Sequence, residues 1–261
     1  MRALFTAATG MEAQQAQIDT IANNIANVGT TGFKRSRTEF QDLFYETLRA
    51  PGAAGSDGSM LPTGVQVGHG VQLAAVNTIY SPGDRVNTGN PLDLAVDGTG
   101  FFQILRPTGE TAYTRDGTFK LDANGNVVTT LGYQLIPAIT VPPDTTSITV
   151  LQDGTVNAVQ AGQTTPTNLG QIQLARFANP AGLRTAGGNL LDATQASGDP
   201  QTGIPQQDGY GGISAGFLEG SNVAVAEELV QMILAQRAFE VSSRVIQAGD
   251  EMLKVAAQMS Q

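Results

Sequence analysis

Two stretches of the chain repeat their apolar residues every seven positions, and they lie toward its two ends. In the first, Leu4, Met11, Ile18 and Ile25 share one heptad position, and Ala7, Gln14, Ile21 and Val28 lie three residues further on. This spacing predicts an amphipathic helix with a seam of coiled-coil type and one polar break. Gly29 is expected to supply the left-handed residue that stops it. In the second, Val225, Met232, Phe239, Ile246 and Leu253 are spaced by seven, while Ala235, Ser242, Gly249 and Ala256 form a companion seam of small residues. Large side chains facing small ones allow another helix to approach closely, and Leu229 flanks the same face. Glu227 and Glu228 near the start and Lys254 near the end suit the helix dipole.

Between these helices the pattern changes to the period of two that marks strands. Leu92, Leu94 and Val96 alternate with Asp93, Ala95 and Asp97, and Asp97-Gly98 then turns the chain. Phe119 and Leu121 alternate before Asn124-Gly125, a strong hairpin signal, and Asp116-Gly117 and Asp153-Gly154 mark further turns. Residues 37–49 show a helical face of Phe40, Leu43, Phe44, Thr47 and Leu48, with Ser36 and Glu39 as a capping box, so a short third helix is expected there. The stretch APGAAGSDGSMLPTG after it has no periodicity and reads as a flexible linker, and residues 204–216 read as a second linker leading to the last helix. The fold class is therefore α+β, with long terminal helices of coiled-coil type flanking a central all-β domain. Its expected parts are an N-terminal helix (1–33), a connector with a short helix and an extended Gly/Pro-rich segment (34–69), a β domain (70–217) and a C-terminal helix (218–261).

At about 1.5 Å per residue the terminal helices are roughly 40 and 55 Å long. A β domain of some 150 residues is only about 30–40 Å across. Isolated helices are marginal in water. The two seams therefore call for each other or for further copies of the chain.

Composition narrows the possible functions. The net charge of −9 divides into zero for residues 1–49, −6 for 50–217 and −3 for 218–261, which disfavours binding to nucleic acid or to an anionic membrane surface. Lys34, Arg35 and Arg37 are followed at once by Glu39 and Asp42, a locally balanced and solvated patch. There is no cysteine, hence no disulfide, thiol nucleophile or thiolate metal site. The apolar run at the N-terminus is broken by Glu12 and glutamines before any convincing cleavage site, so a cleaved signal peptide is not expected. No stretch approaches the roughly 18 apolar residues of a membrane span.

Candidate chemistry is sparse. GISAG at 212–216 matches the G-x-S-x-G string, but it lies in a glycine-rich stretch, and the only histidine, His69, is far upstream. His69 itself sits between glycines, which suits a turn. DANGN at 122–126 hints at a calcium loop, but its glycine falls two positions early and Tyr133 stands where glutamate is needed. Asp93 and Asp97 remain available as a carboxylate pair, with no substrate-binding aromatics interleaved. Neither catalysis, a cofactor nor a metal is expected.

Three segments carry a specific resemblance. IANNIANVGTTGFKRSR at 21–37, LDLAVDGTGFFQI with YTRDGTFKLDANGNVVT in the middle, and EELVQMILAQRAFEVSSRVIQAGDEMLKV near the end resemble the signatures of bacterial flagellar rod and hook axial proteins, in the same order. The length, the LPTGVQVGHGVQ segment and EGSN before the last helix look most like the distal rod members; another rod or hook-like member is the alternative, and a secreted β-domain adhesin is a third. The resemblance implies a non-enzymatic subunit exported through the flagellar type III apparatus. It would polymerise helically with itself into the rod that crosses the periplasm. It would also meet proximal rod subunits, the hook protein and the surrounding P- and L-ring proteins. Both terminal helices would pair in an inner tube around the export channel, and residues 46–65 would make a contact that keeps the rod straight.

On that reading, Leu4, Met11, Ile18, Ile21, Ile25 and Val28 pack the N-terminal helix between subunits, and Asn23, Asn24 and Asn27 supply hydrogen bonds where a charge would be costly to bury. Gly29 and Gly32 bend the chain out of the tube, Phe33 anchors the exit, and Lys34, Arg35 and Arg37 meet carboxylates of adjacent segments or subunits. Val225, Leu229, Met232, Ala235, Phe239, Ile246, Gly249 and Leu253 pack the C-terminal helix.

Overall fold

The computed structural model describes residues 2–51, 63–163 and 165–259. Helix α1 (Arg2–Ala26) and helix α2 (Val225–Met259) enclose a long succession of strands in chain order, so the α+β class holds. The described residues group into two compact units. One takes those within Met1–Ile25, Ser36–Asn77 and Ala224–Gln261, and the other takes Ala26–Arg35 and Thr78–Val223.

In the helical unit α1 and α2 run antiparallel. Leu4 lies against Gly249, Gly10 against Ser242, and Asn24 bonds Glu228. Moving from Gly10 to Asn24 along α1 thus moves from Ser242 to Glu228 along α2, the same number of residues in the opposite direction. The small seam positions do what their size allows, because a Cβ on Gly249 would stand 2.6 Å from a Leu4 methyl carbon. Ala13, Ile21 and Asn24 are buried on α1, and Glu228 and Ala235 on α2. Lys254, rather than serving the final turn, pairs with Asp250 at 2.7 Å.

The short third helix is absent. Residues Ser36–Asp42 and Tyr45–Arg49 are strands β1 and β2, followed by β3 (Val65–Gly68) and β4 (Val71–Thr78). β1 pairs with β4, and β2 pairs with β3 in a hairpin that matches Tyr45 with Gly68 and Arg49 with Val65. The helical pattern of 37–49 fails because these residues are mostly exposed, so no core selects a 3.6-residue period, and the strand partners satisfy the backbone instead. The linker expected after residue 49 is anchored on both sides by this hairpin; its middle, 52–62, lies outside the described residues. His69 stands exposed in the β3–β4 turn. Next to it Gly70 adopts φ 115°, and a Cβ there would come within 2.2 Å of the Thr9 hydroxyl on α1.

The β unit is built on a nine-stranded sheet among the described residues. Its centre is Phe101–Leu105, paired with Thr111–Thr114 on one side and with Leu174–Arg176 and Gln134–Ile136 on the other. Phe102 and Ile104 point into the main core with Phe119, Leu135 and Ile172, while Phe101 points to a second cluster with Tyr113, Phe177 and Leu183. Both faces are covered, which is why the FFQI run is buried throughout, Gln103 included, rather than alternately buried and exposed. Leu94, Ala95 and Val96 are likewise all buried, so Ala95 belongs to the core and not to the solvent face its alternation suggested. Leu121 departs the other way and is exposed.

The hairpin at Asn124-Gly125 forms as expected, with Gly125 at φ 80°, and Asp153-Gly154 turns with Gly154 at φ 84°. GISAG is not a linker. Gly212–Ala215 is a strand paired with Leu94–Asp97, and Ile213 is in the core. Ser214 therefore sits within a strand and not on a strand-to-helix turn.

Gly10 offers a direct test of the helical unit. A Cβ there would meet the Ser242 hydroxyl at 3.6 Å, an ordinary contact. Gly10→Ala should therefore stabilise the chain by about 0.5–1 kcal/mol through helix propensity. Thermal melts of the two proteins will show a raised midpoint, and a lowered one would mean that the helices pack more tightly at this point.

Candidate functional site

The residues after α1 build a site that begins with two backbone turns. Thr30 N–H donates to the Asn27 carbonyl at 3.1 Å and Phe33 N–H to the Thr30 carbonyl at 3.3 Å. The left-handed residue is Gly32, at φ 68°, and not Gly29. Gly29 faces open space, whereas a Cβ on Gly32 would lie 2.7 Å from the backbone of Arg115 and Asp116. Gly32 N–H also donates to the Glu219 carbonyl at 2.7 Å. Close approach, as much as the turn itself, demands glycine here.

That approach carries Lys34 into the β unit. The lysine is buried, its side chain 3% exposed, and it is ion-paired with Glu219, which is 1% exposed. Its ammonium also donates to the Ser81 carbonyl at 2.8 Å. The other carboxylate oxygen of Glu219 accepts from Arg115 Nη1 at 3.2 Å, and Gly83 N–H donates to the first at 3.1 Å. Arg115, 4% exposed, further donates to the Gly98 carbonyl at 2.7 Å, and its guanidinium lies 5.2 Å from the centre of the Phe101 ring. Tyr80 packs edge-on against the same ring.

Burial dominates the electrostatics of this cluster. It pulls Lys34 and Arg115 below their ordinary values, against the attraction of Glu219. It also pushes the Tyr80 phenol up to about 12, against the opposing charge of Arg115. The solvated patch expected at 34–37 is thus split. Lys34 meets a carboxylate of its own chain in the interior, while Arg37 makes an exposed pair with Glu39 at 3.2 Å. Arg35 N–H donates to the Asn222 side chain at 2.7 Å, and the Asn222 amide donates to the carbonyls of Ile79 and Ser81. The GFKR and EGSN segments are therefore clasped together, with 79–83 between them. Phe33 is half-buried beside them.

In the helical unit Asn24 makes a second clasp. Its side-chain oxygen accepts from Ser36 N–H at 2.9 Å, and its amide donates to the Ser36 carbonyl at 2.8 Å and to Glu228 at 3.2 Å. A side-chain amide here imitates one rung of a β-ladder, and only asparagine or glutamine carries both partners. Asn27 accepts from the Thr30 hydroxyl at 3.1 Å and so serves the turn.

Of the expected packing residues, Leu4, Met11, Ile18, Ile25, Met232, Phe239, Ile246 and Gly249 are half-buried, and Val28, Val225, Leu229 and Leu253 are exposed. Sequence reasoning missed Arg115, Glu219, Asn222 and Tyr80. Glu219 and Asn222 stood in the EGSN segment singled out for its resemblance, and Glu219 is also a lone charge between Phe217-Leu218 and Gly220.

Three family models match this chain. The flagella basal body rod protein model covers residues 4–34, the flagellar hook protein FlgE/F/G D1 domain covers 95–158, and the flagellar basal body rod FlgEFG C-terminal model covers 214–259. Each contains one member of the buried cluster: Lys34, Arg115 and Glu219 respectively. The chain is 48% identical to the flagellar basal-body rod protein FlgG of Borreliella burgdorferi, covering 98% of this chain and 97% of that one. The chain belongs to the FlgG family of flagellar basal-body rod proteins. The FlgG proteins of Agrobacterium fabrum and Bacillus subtilis are 46% and 40% identical to it, again over 97–98% of each chain. No described helix is long and apolar enough to cross a membrane. Among the described residues no cluster of metal-ligating side chains occurs, and the DANGN carboxylate is used by its own turn, where the Asn126 side chain and backbone hold Asp122 below the usual carboxylate range.

The cluster makes unequal demands on its members. Glu219→Gln strands two buried cations and should destabilise the β unit by about 3–5 kcal/mol. Lys34→Met leaves every acceptor a donor: Arg115 and Gly83 N–H for Glu219, and the Asn222 amide for Ser81. It should cost about 1 kcal/mol or less. Urea unfolding followed by circular dichroism will separate them, and a Lys34→Met cost equal to that of Glu219→Gln would refute this division.

Tyr80 adds a pH dependence. Between pH 10 and about 12 the unfolded chain releases the Tyr80 proton while the native chain keeps it. The native state then binds more protons, so this stability, complete below pH 10, is lost as pH rises through that interval. Lys34, with its lowered value, contributes with the opposite sign below 10.5, and Tyr113, raised by burial, with the same sign as Tyr80. Tyr80→Phe should flatten the alkaline fall in stability, and an unchanged slope would count against it.

Proposed function

We propose that the chain is a self-associating structural subunit of the distal rod of the flagellar basal body. The observation that carries this is a second apolar seam on α2. Leu234, Val241, Ala248 and Val255 repeat by seven, and so do Ala238, Val245, Met252 and Met259. They lie one residue, hence about 100°, round the helix from the seam that faces α1. The large side chains of this second seam are uncovered: Val241 is 61% exposed and Met252 68%.

A helix with two heptad seams suits a wall in which it touches helices on two sides. A pair buried only against itself needs one. This supports helical polymerisation through coiled-coil-type contacts among the terminal helices around a channel. On the same reading the rod crosses the periplasm and passes torque to the hook. Its neighbours are proximal rod subunits, the hook protein, the P- and L-ring proteins and, during delivery, the export apparatus. The β2–β3 hairpin frames the segment that would stiffen the rod. No reaction is assigned to the chain, whose buried charges Lys34, Arg115 and Glu219 are spent on its own packing.

Val241→Glu places a charge on the second seam without touching the first. The variant should keep wild-type helix content by circular dichroism and fail to form sedimentable filaments, while Gln247→Glu on the exposed surface should assemble. Normal filaments from Val241→Glu would refute the proposal.

A further inference from the structure

Residues 122–126 join the strands Phe119–Leu121 and Val127–Thr129, and they hold the only Asn-Gly pair in the chain. The backbone of this turn is closely tied. The Asp122 carboxylate accepts from the backbone N–H groups of Asn124 and Asn126, both at 2.8 Å, and from the Asn126 side chain at 3.0 Å. Gly125 N–H donates to the Asp122 carbonyl at 3.1 Å, and the Gly125 carbonyl accepts from Val141 N–H at 2.7 Å. Asn124 itself is exposed. Its side-chain carbonyl carbon is an electrophile, and the residue that follows presents a peptide nitrogen with no side chain in the way.

We propose that Asn124 is a site of spontaneous deamidation, at which the chain slowly converts its own turn to aspartate and isoaspartate. The Gly125 nitrogen attacks Cγ of Asn124. The N–Cγ bond forms, the Cγ–Nδ2 bond breaks, and the side-chain nitrogen leaves as ammonia, taking up the proton that Gly125 gives up. Water then opens the cyclic imide at either of its carbonyls. One opening restores the main chain with aspartate at 124, and the other routes the main chain through the side chain as isoaspartate. One water is consumed and one ammonia released, with no second copy of the chain involved.

Other positions are poorer candidates. Asn126 precedes the β-branched Val127, and its side chain is held by Asp122 and Thr140. Asn90 and Asn179 precede proline, which has no N–H to lose. Asp97-Gly98, Asp116-Gly117 and Asp153-Gly154 could form the same ring, but an ionised carboxylate is a weak electrophile. Asp97 is moreover paired with Arg85 at 2.8 Å, and Asp116 accepts from Thr118 and Asn189. In the folded chain the attack at Asn124 waits for the Gly125–Asp122 bond to open, which an exposed turn does locally, without global unfolding.

Either product alters the turn. Aspartate at 124 sets a second negative charge two residues from Asp122, whose carboxylate the Asn126 side chain and backbone already hold below the usual range. Isoaspartate adds a backbone carbon between residues tied to Asp122 and to Val141, and those bonds cannot all be kept. Both products also place a charge on the rim of a groove lined by Leu92, Leu121, Pro142 and Ile148, whose described lining holds no cation to offset it. The converted fraction records how long a subunit has stood since it was made.

Full-length protein aged in mildly alkaline buffer provides the test, with peptide mass spectrometry to locate lost amides and isoaspartyl methyltransferase labelling to count isoaspartate. Asn124 should be converted roughly tenfold faster than any other asparagine, which asks for only a small difference in barrier. Isoaspartate should be among the products, and the thermal midpoint of the aged protein should fall. Asn124→Gln, whose longer side chain disfavours the ring, should keep its mass and its midpoint over the same period. Another asparagine reacting first, conversion of Asn124 without isoaspartate, or an equal loss of stability in aged Asn124→Gln would overturn the assignment.

Discussion

A carboxylate taken out of water must be compensated where it lies, and in this chain that carboxylate is Glu219. Lys34, Arg115 and the Gly83 amide surround it, and each comes from a different stretch of the sequence. Satisfying one buried charge therefore decides where three segments go. The turn after α1 must bring Gly32 onto the Arg115 backbone, because Lys34 cannot otherwise reach inward. The return segment must place Asn222 against Arg35 and Ser81, because it follows Glu219 by three residues. Such a cluster contributes less through its own attraction than through the penalty for any arrangement that leaves a member unpaired.

The helical unit is governed by size rather than charge. Gly249 admits Leu4, and Gly70 admits Thr9, so α1 is gripped by α2 and by the β3–β4 turn through positions where even a methyl group would intrude. Asn24 is the exception, a buried amide that pairs with the Ser36 backbone and the Glu228 carboxylate. Close packing on α1 uses only one of the two seams of α2. The helix thus leaves large apolar side chains such as Val241 and Met252 uncovered, which is costly for a monomer and natural for a subunit.

Much of this could be read from the residues. The two heptad runs gave both helices, and Asn-Gly and Asp-Gly gave the hairpin turns, because these signals are local and depend on little else. The helix expected at 37–49 failed since its periodic face was never buried, and Phe44 remains almost wholly exposed. Gly29 and Gly32 are indistinguishable as residue types; only the backbone of Arg115, some eighty positions away, tells which must lack a side chain. For the same reason Lys34 looked like part of a surface patch. Its partner is remote in sequence, and no local pattern marks a charge that will be paired only in the folded state. GISAG misled in the other direction, because a glycine-rich string can be a strand when Leu94–Asp97 supplies its ladder.

The two clasps also impose a schedule. Lys34 and Glu219 are separated by 185 residues, and Asn24 and Glu228 by 204. Contacts of such long range are slow to form, since loop closure precedes any reward. A chain emerging N-terminus first can complete its hairpins one by one, but it can close neither clasp until Glu219 and Glu228 arrive. Until then Lys34 and Arg115 lack their anion and α1 lacks its partner, so the early chain stays open and adaptable. The segment that carries Glu219 and Glu228 is the one that locks the fold.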